Sequence, residues 1–201
     1  MSDKSYLSVY AKSFSWAGFF LPRETLKKCS VLYDFCRVAD NIADDKDEIE
    51  VKEKKFAEFE NDFNQKKFDN LIIKNMWGIM EEFNISIKIV QDLLAGIRSD
   101  IKEKVEINSK KDLLIYSYRV AGTVGLMMAK ILNVTKKNSL KSAIDLGIAM
   151  QLTNISRDVL EDSKNNRFYI EENFEKISST VNLANQYLSL IHISEPTRPS
   201  Q

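Results

Sequence analysis

Histidine is all but absent from this sequence. The 201-residue chain has one, His192, close to its C-terminus. Without a histidine in the body of the chain there is no Ser-His or Cys-His nucleophile pair and no imidazole zinc site. A bound metal ion would take oxygen ligands, which favours a hard cation such as Mg²⁺. Cysteine is nearly as scarce, with Cys29 and Cys36 alone. On one helix they stand about 10 Å apart along the axis at ~1.5 Å per residue, too far for a disulfide. Two buried thiols in a reducing compartment are expected. Neither charge is in surplus: Lys plus Arg is 29 and Asp plus Glu is 29, so the basic face of a nucleic-acid binder is missing. No apolar run reaches the roughly 18 residues that span a bilayer. Residues 1–10 lack the apolar stretch of a secretory signal, and a cytoplasmic location is expected.

Glycine (6) and proline (3) are also sparse, and Pro196 and Pro199 fall in the last six residues, which points to long helices. With 44% hydrophobic and 29% charged residues the chain can bury one good-sized core. The apolar periodicity predicts helices over 24–44, 48–64, 70–83, 86–103, 110–132 and 137–163, with no strand of useful length and no internal repeat. In the first, Leu26, Val31, Tyr33, Phe35 and Val38 supply apolar surface. In the second, Phe56, Phe59 and Phe63 make a narrow stripe on an otherwise charged helix. From Ser189 the sequence reads "SLIHISEPTRPSQ", a break in composition that looks like translated adapter sequence or a disordered tail. The expected division is a domain over 1–188 and a tail without a site over 189–201.

One polar stripe stands out because it follows the most apolar run, Ala143–Leu152. Asn154, Asp158 and Asp162 recur at i, i+4, i+8, which on a helix is a ladder of oxygen donors one turn apart, bordered by Gln151 and Arg157. A second ladder, Asp40 and Asp44, lies in "CRVADNIADD" with Arg37 a turn before. One such pair alone is usually a solvated helix face. Two pairs, each beside an arginine and each after an apolar segment, fit facing walls of a cavity. Four close carboxylates repel one another unless something positive sits between them, and Mg²⁺ carrying a diphosphate would do that. In "YSYRVAGTVGLMMAKIL", Gly122 and Gly125 each cost roughly 1 kcal/mol in a helix relative to Ala. They mark either tight helix packing or a bend with room for a long apolar ligand. In "AKSFSWAGFFLP", Lys12 could offer charge to a phosphate, while Trp16, Phe19 and Phe20 read as core.

The segments "KSFSWAGFFLP", "LYDFCRVADNIADD", "YRVAGTVG" and "AMQLTNISRDVLED…NRFYI", in that order, resemble the squalene/phytoene synthase family over about residues 5 to 188. The resemblance implies an all-α, isoprenoid-synthase-type helical bundle around a central cavity that condenses two prenyl diphosphates head to head. It implies Mg²⁺, with Mn²⁺ as the alternative ion, held by Asp40, Asp44, Asn154, Asp158 and Asp162. It implies catalytic roles for Tyr116, Arg37 and Arg157, with the two arginines and Lys12 neutralising the leaving diphosphate. Ser13, Phe14, Val120, Ala121, Gly125 and Gln151 would contact substrate. The implied reaction joins two geranylgeranyl diphosphates to phytoene through a cyclopropyl diphosphate. The alternatives are a squalene or presqualene-diphosphate synthase using farnesyl diphosphate, with NADPH needed only for squalene, and a catalytically silent homologue acting in assembly. The implied protein is a monomer without a nucleic-acid partner, touching the inner face of a membrane at product release. Two positions depart from the family: Asn41 stands where many relatives carry a second Asp, and Tyr10 where some carry His. The chain is also shorter than its relatives, so the C-terminal helices are expected to be missing and Leu126, Met127 and Ile131 to be left exposed.

Overall fold

A computed structural model describes residues 21–193, with side chains to residue 191. Helix α1 (Arg23–Ala43) follows Pro22 directly; a proline fits there because the first N–H groups of a helix have no internal partner. It buries Cys29, Leu32, Phe35, Ala39 and Ala43, one residue per turn. Three helices pack on it or on each other: α2 (Ile49–Asn64), α3 (Leu71–Glu82) and α4 (Ile87–Arg98). The stripe Phe56, Phe59 and Phe63 is buried as its spacing predicts. The Phe35 ring lies 5.4 Å from both Phe59 and Phe63, and Phe63 stacks on Trp77 at 5.3 Å. The Trp77 indole N–H donates to the Phe63 carbonyl at 3.0 Å, so this half-buried ring has its polar end satisfied.

With so few glycines, other residues close the helices. Lys66, Asn84, Asn133 and Asn166 take the left-handed conformation just past four helix ends. After α3, Ile85 N–H returns to the Met80 carbonyl at 2.8 Å. Val134 N–H does the same to Ala129 at 3.0 Å after α6. Asn tolerates this backbone better than most residues, so the chain stops its helices without Gly.

The second half adds β1 (Val105–Glu106), α5 (Lys110–Ser117), a π-helical turn (Tyr118–Gly122), α6 (Thr123–Ile131), α7 (Lys137–Arg157), α8 (Val159–Lys164), β2 (Arg167–Phe168) and α9 (Phe174–Ile193). A second apolar cluster forms from Leu113, Tyr116, Ile148, Leu152, Ile155, Tyr169, Leu183 and Ala184. The fold is all-α apart from one feature that the periodicity does not predict: β1 and β2 pair in parallel over two residues each, Val105 opposite Arg167.

Three expected helices are shorter or broken. Helix 86–103 stops at Arg98, where the Ser99 hydroxyl donates to the Gly96 carbonyl at 2.6 Å. Helix 110–132 is interrupted by the π turn, where Thr123 N–H reaches the Tyr118 carbonyl five residues back. Helix 137–163 breaks at Asp158. Helix α9 was not expected, because its buried positions are few and its other residues polar. It runs through residues 189–193, so the boundary drawn at 188 falls inside a helix; residues 194–201 lie outside the described residues. Met127 and Ile131, expected to be exposed, are fully buried in the first cluster, and Leu126 is half-buried.

Gly125 and Gly147 show why α6 and α7 lie so close. A Cβ at Gly125 would sit 2.2 Å from the Ala143 carbonyl oxygen, and one at Gly147 2.3 Å from the Ala121 carbonyl oxygen. Gly125 therefore serves helix packing, and Gly122 ends the π-helical bend. Gly78, by contrast, has nothing within 4 Å of its missing Cβ. We predict that Gly125→Ala and Gly147→Ala each lower stability by roughly 1–3 kcal/mol, as overpacking does. Gly78→Ala should raise it by roughly 0.5–1 kcal/mol through helix propensity. Urea unfolding of the three variants checks this; equal shifts would show that the backbone contact is not the cause.

Candidate active site

Asp40 and Asp44 each directly follow a buried alanine of α1, Ala39 and Ala43. Successive helical residues are about 100° apart, so both carboxylates emerge at the edge of the core. On the opposite side Asn154 lies in the last turn of α7, Asp158 stands at the break and Asp162 lies in α8. The ladder survives the break because Asp158 N–H bonds to the Asn154 carbonyl at 2.9 Å and Asp162 N–H to the Asp158 carbonyl at 2.8 Å. These side chains line one cavity of about 200 Å³ with Gln151, Asp100, Tyr116, Arg167 and Tyr169. The cavity lies between the two apolar clusters, one wall anchored in each.

Three cavity residues were not foreseen. Asp100 sits in the turn just after α4. Its carboxylate accepts from the Tyr116 hydroxyl at 2.8 Å and the Tyr169 hydroxyl at 3.0 Å, and the two rings stack at 4.8 Å. Arg167 on β2 reaches across the cavity, its Nη2 donating to Asp44 Oδ1 at 2.6 Å. Arg167 and Tyr169 fall in "NRFYI", which carries no period to single them out.

The carboxylates differ in how they bear their charge. Burial, with Asp44 adding repulsion, pushes the Asp40 carboxyl up to about 6, against the pull of Arg37 and Arg167. Burial also pushes Asp100 up to about 6, although the Tyr116 hydroxyl and the Arg167 charge hold it down. Asp162 is raised by burial and then by Asp158. Asp158 goes the other way, because Arg157 forks onto it with bonds of 2.7 and 2.6 Å. Burial raises both tyrosine hydroxyls, so they stay neutral donors.

The remaining expected site residues fall elsewhere or are out of view. Lys12, Ser13 and Phe14, with Tyr10, Trp16, Phe19 and Phe20, lie outside the described residues. Arg37 is half-buried a turn before Asp40 and acts on it through its charge. Arg157 is mostly exposed and clamps its neighbour Asp158 rather than lining the cavity. Val120, Ala121 and Gly125 do not line this cavity either. Val120 packs against Gly96 of α4, and Ala121 and Gly125 meet α7.

The donor set can be tested against a metal ion. Every charged lining group but Arg167 is a carboxylate, and repulsion from a neighbouring aspartate adds to burial in raising Asp40 and Asp162. Among the described residues no three acidic groups converge on one point. The site therefore does not fit a closed all-protein cage. It fits Mg²⁺ ions that take a few carboxylate oxygens and complete their shells with water and phosphate.

Residues 7–174 match the family described as squalene/phytoene synthase. The chain belongs to the squalene/phytoene synthase family. Among relatives of this family, a 15-cis-phytoene synthase from Pantoea ananas is 31% identical over 176 residues, which is 82% of this chain and 57% of that protein. A chloroplastic phytoene synthase 1 from Solanum lycopersicum is 31% identical over 173 residues, 81% of this chain and 42% of that one. The chain thus spans about half the length of these relatives. Its structure superposes on a ligand-bound dehydrosqualene synthase with a TM-score of 0.68 at 26% identity, covering 94% of this chain and 72% of the other. The squalene/phytoene synthases are head-to-head prenyltransferases with an isoprenoid-synthase helical fold, and the all-α bundle described above is that fold.

A pH test isolates the crowded carboxylates of this family member. An unfolded aspartate titrates near 3.9, whereas Asp40 and Asp100 are held near 6. The folded state therefore binds these protons more tightly, and their contribution to stability falls as pH rises from about 4 through about 6. We predict that Asp40→Asn flattens this fall and leaves the chelator-treated protein at least as stable as wild type at pH 7. Urea midpoints across that range measure it. A loss of stability at pH 7 would show that the carboxylate supports the fold.

Proposed function

We propose that the chain carries the diphosphate-ionising centre of a phytoene-synthase-like enzyme that joins two geranylgeranyl diphosphates through a cyclopropyl diphosphate. The observation that carries this reading is the pair of carboxylate walls, Asp40 and Asp44 against Asp158 and Asp162, on one cavity that also holds Tyr116. The likeness to two phytoene synthases at 31% identity supports the C20 substrate. Asp40, Asp44, Asn154, Asp158 and Asp162 would hold Mg²⁺, which supplies positive charge that stabilises the departing diphosphate.

The chain's own residues do the rest. Arg37 and Arg157 add guanidinium charge beside the two walls, each through its neighbouring aspartate. Tyr116, its hydroxyl tied to Asp100, turns a polarisable ring to the cavity, as an allylic cation requires. The Asp100–Tyr116–Tyr169 unit fixes that ring through two hydroxyl–carboxylate bonds and a ring stack. Gln151 offers a neutral amide at the same wall. Lys12, Ser13 and Phe14 complete the substrate contacts on this reading. The protein works as a monomer in the cytoplasm, without nucleic acid, and hands an apolar product to a membrane surface; no helix among the described residues is long and apolar enough to cross one.

A specific observation favours a second reading. The superposition at 26% identity is on a dehydrosqualene synthase, which supports farnesyl diphosphate and a C30 product, with NADPH required only if the product is squalene. A silent homologue acting in assembly is less well supported, since it would keep a destabilising carboxylate cluster without use. The test incubates the chain with Mg²⁺ and either prenyl diphosphate, identifies product by chromatography and mass, and reads diphosphate binding separately by calorimetry. A C40 hydrocarbon from the C20 substrate is expected, with Asp158→Asn lowering turnover by orders of magnitude. A C30 product from the C15 substrate would establish the second reading. Absence of Mg²⁺-dependent diphosphate binding would sink both.

A further inference from the structure

Arg167 has no part in the reading from sequence, yet it is the one basic side chain among the described residues that line the cavity, facing Asp40, Asp44, Asp100, Asp158 and Asp162. Its backbone is pinned. Val105 N–H bonds to the Asn166 carbonyl at 2.9 Å and Ile107 N–H to the Phe168 carbonyl at 3.0 Å, so β2 is held to β1 on both sides of it. Its side chain is not pinned in the same way. It makes a single-pronged bond to Asp44 at 2.6 Å, unlike the two-pronged grip of Arg157 on Asp158. Asp44 lies 123 residues away at the C-cap of α1 and is about half exposed, while Arg167 is three-quarters covered. A guanidinium carries five N–H donors, so most of its hydrogen-bonding capacity lies beyond that one bond.

Resting on the function proposed above, we propose that Arg167 is an exchangeable counter-ion: it competes with a divalent cation for Asp44 and turns to the substrate diphosphate once the cation holds that carboxylate. Two features of the geometry support it. Asp44 Oδ1 cannot keep a short bond to a guanidinium and also give its full charge to a metal. The planar fork then released suits a phosphate oxygen pair better than any other group on this wall. Its field reaches beyond Asp44, since it offsets the raised affinity of Asp40, Asp100 and Asp162 for protons. Arg167 is thus a positioning and diphosphate-contacting residue whose rest position is on α1.

Calorimetry with Mg²⁺ alone, and with inorganic diphosphate in the presence of Mg²⁺, tests this on the 201-residue chain. Arg167→Gln should bind Mg²⁺ two- to fivefold more tightly, because a competitor for Asp44 is gone, and should bind diphosphate at least tenfold more weakly. Arg167→Lys keeps the charge and loses the fork; it should bind Mg²⁺ as wild type does and diphosphate with an intermediate loss. Dissociation constants in Arg167→Gln within twofold of wild type for both ligands, or weaker Mg²⁺ binding, would overturn the proposal. A second measurement needs no variant: a crystal structure of the wild-type chain with Mg²⁺ and diphosphate should find the guanidinium off Asp44 and on phosphate oxygen. An intact Arg167–Asp44 pair in that complex would also overturn it. If wild type itself binds no diphosphate with Mg²⁺, the reading of the cavity fails and takes this proposal with it. If wild type binds and the Arg167→Gln values match it, this proposal alone falls.

Discussion

Five carboxylates around a cavity of about 200 Å³ oppose the folding of the chain that holds them. Like charges this close raise each other's proton affinity, and partial burial adds to the effect. The structure answers with three arginines placed differently. Arg157 grips Asp158 from outside, Arg37 acts on Asp40 from a turn below, and Arg167 spans the cavity to Asp44. None of these removes the crowding. The two walls stay in place because each is rooted in its own apolar cluster: Phe35, Phe56 and Phe63 behind α1, and Leu152, Ile155 and Leu183 behind α7. A site that gains from added positive charge is the chemical opposite of a site that repels a diphosphate, provided that the charge arrives with it.

Backbone contacts set the height of those walls. Gly125 against Ala143 and Gly147 against Ala121 bring α6 and the π turn into main-chain contact with α7. The π turn just before α6 shifts the phase of the chain between α5 and α6. Residues before it, among them Tyr116, then serve the second cluster and the cavity, while Met127 and Ile131 after it serve the first.

The parts of the fold and site that were legible in the sequence are those with a local period. The phenylalanine stripe of α2 and the two aspartate ladders could be read because burial, or a place on the cavity wall, repeats every three or four residues. The bounds of α1 and α2 came within a residue or two. What was missed lacks a period. Asp100 follows an early stop at Ser99, Arg167 and Tyr169 sit on a two-residue strand, and α9 keeps its buried face to a few side chains. Gly122 and Gly125 were legible as an alternative between bend and packing, and the chain uses them for one each. Val120, Ala121 and Gly125 belonged to a motif quoted whole, and a motif does not say which of its residues look inward.

The Arg167–Asp44 pair also bears on the order in which the molecule assembles. The contacts among α1, α2 and α3 join segments near in sequence, and loops of that size close readily. Joining residue 44 to residue 167 encloses 123 positions, so this contact waits until α7, α8 and β2 have docked. Sequence separation therefore favours closing the aromatic cluster before the acidic cavity. A nascent chain that has emerged only as far as α6 carries all the residues of the first cluster, but of the acidic lining only Asp40, Asp44 and Asp100. The electrostatic strain of the site thus enters only when there is enough structure to withstand it.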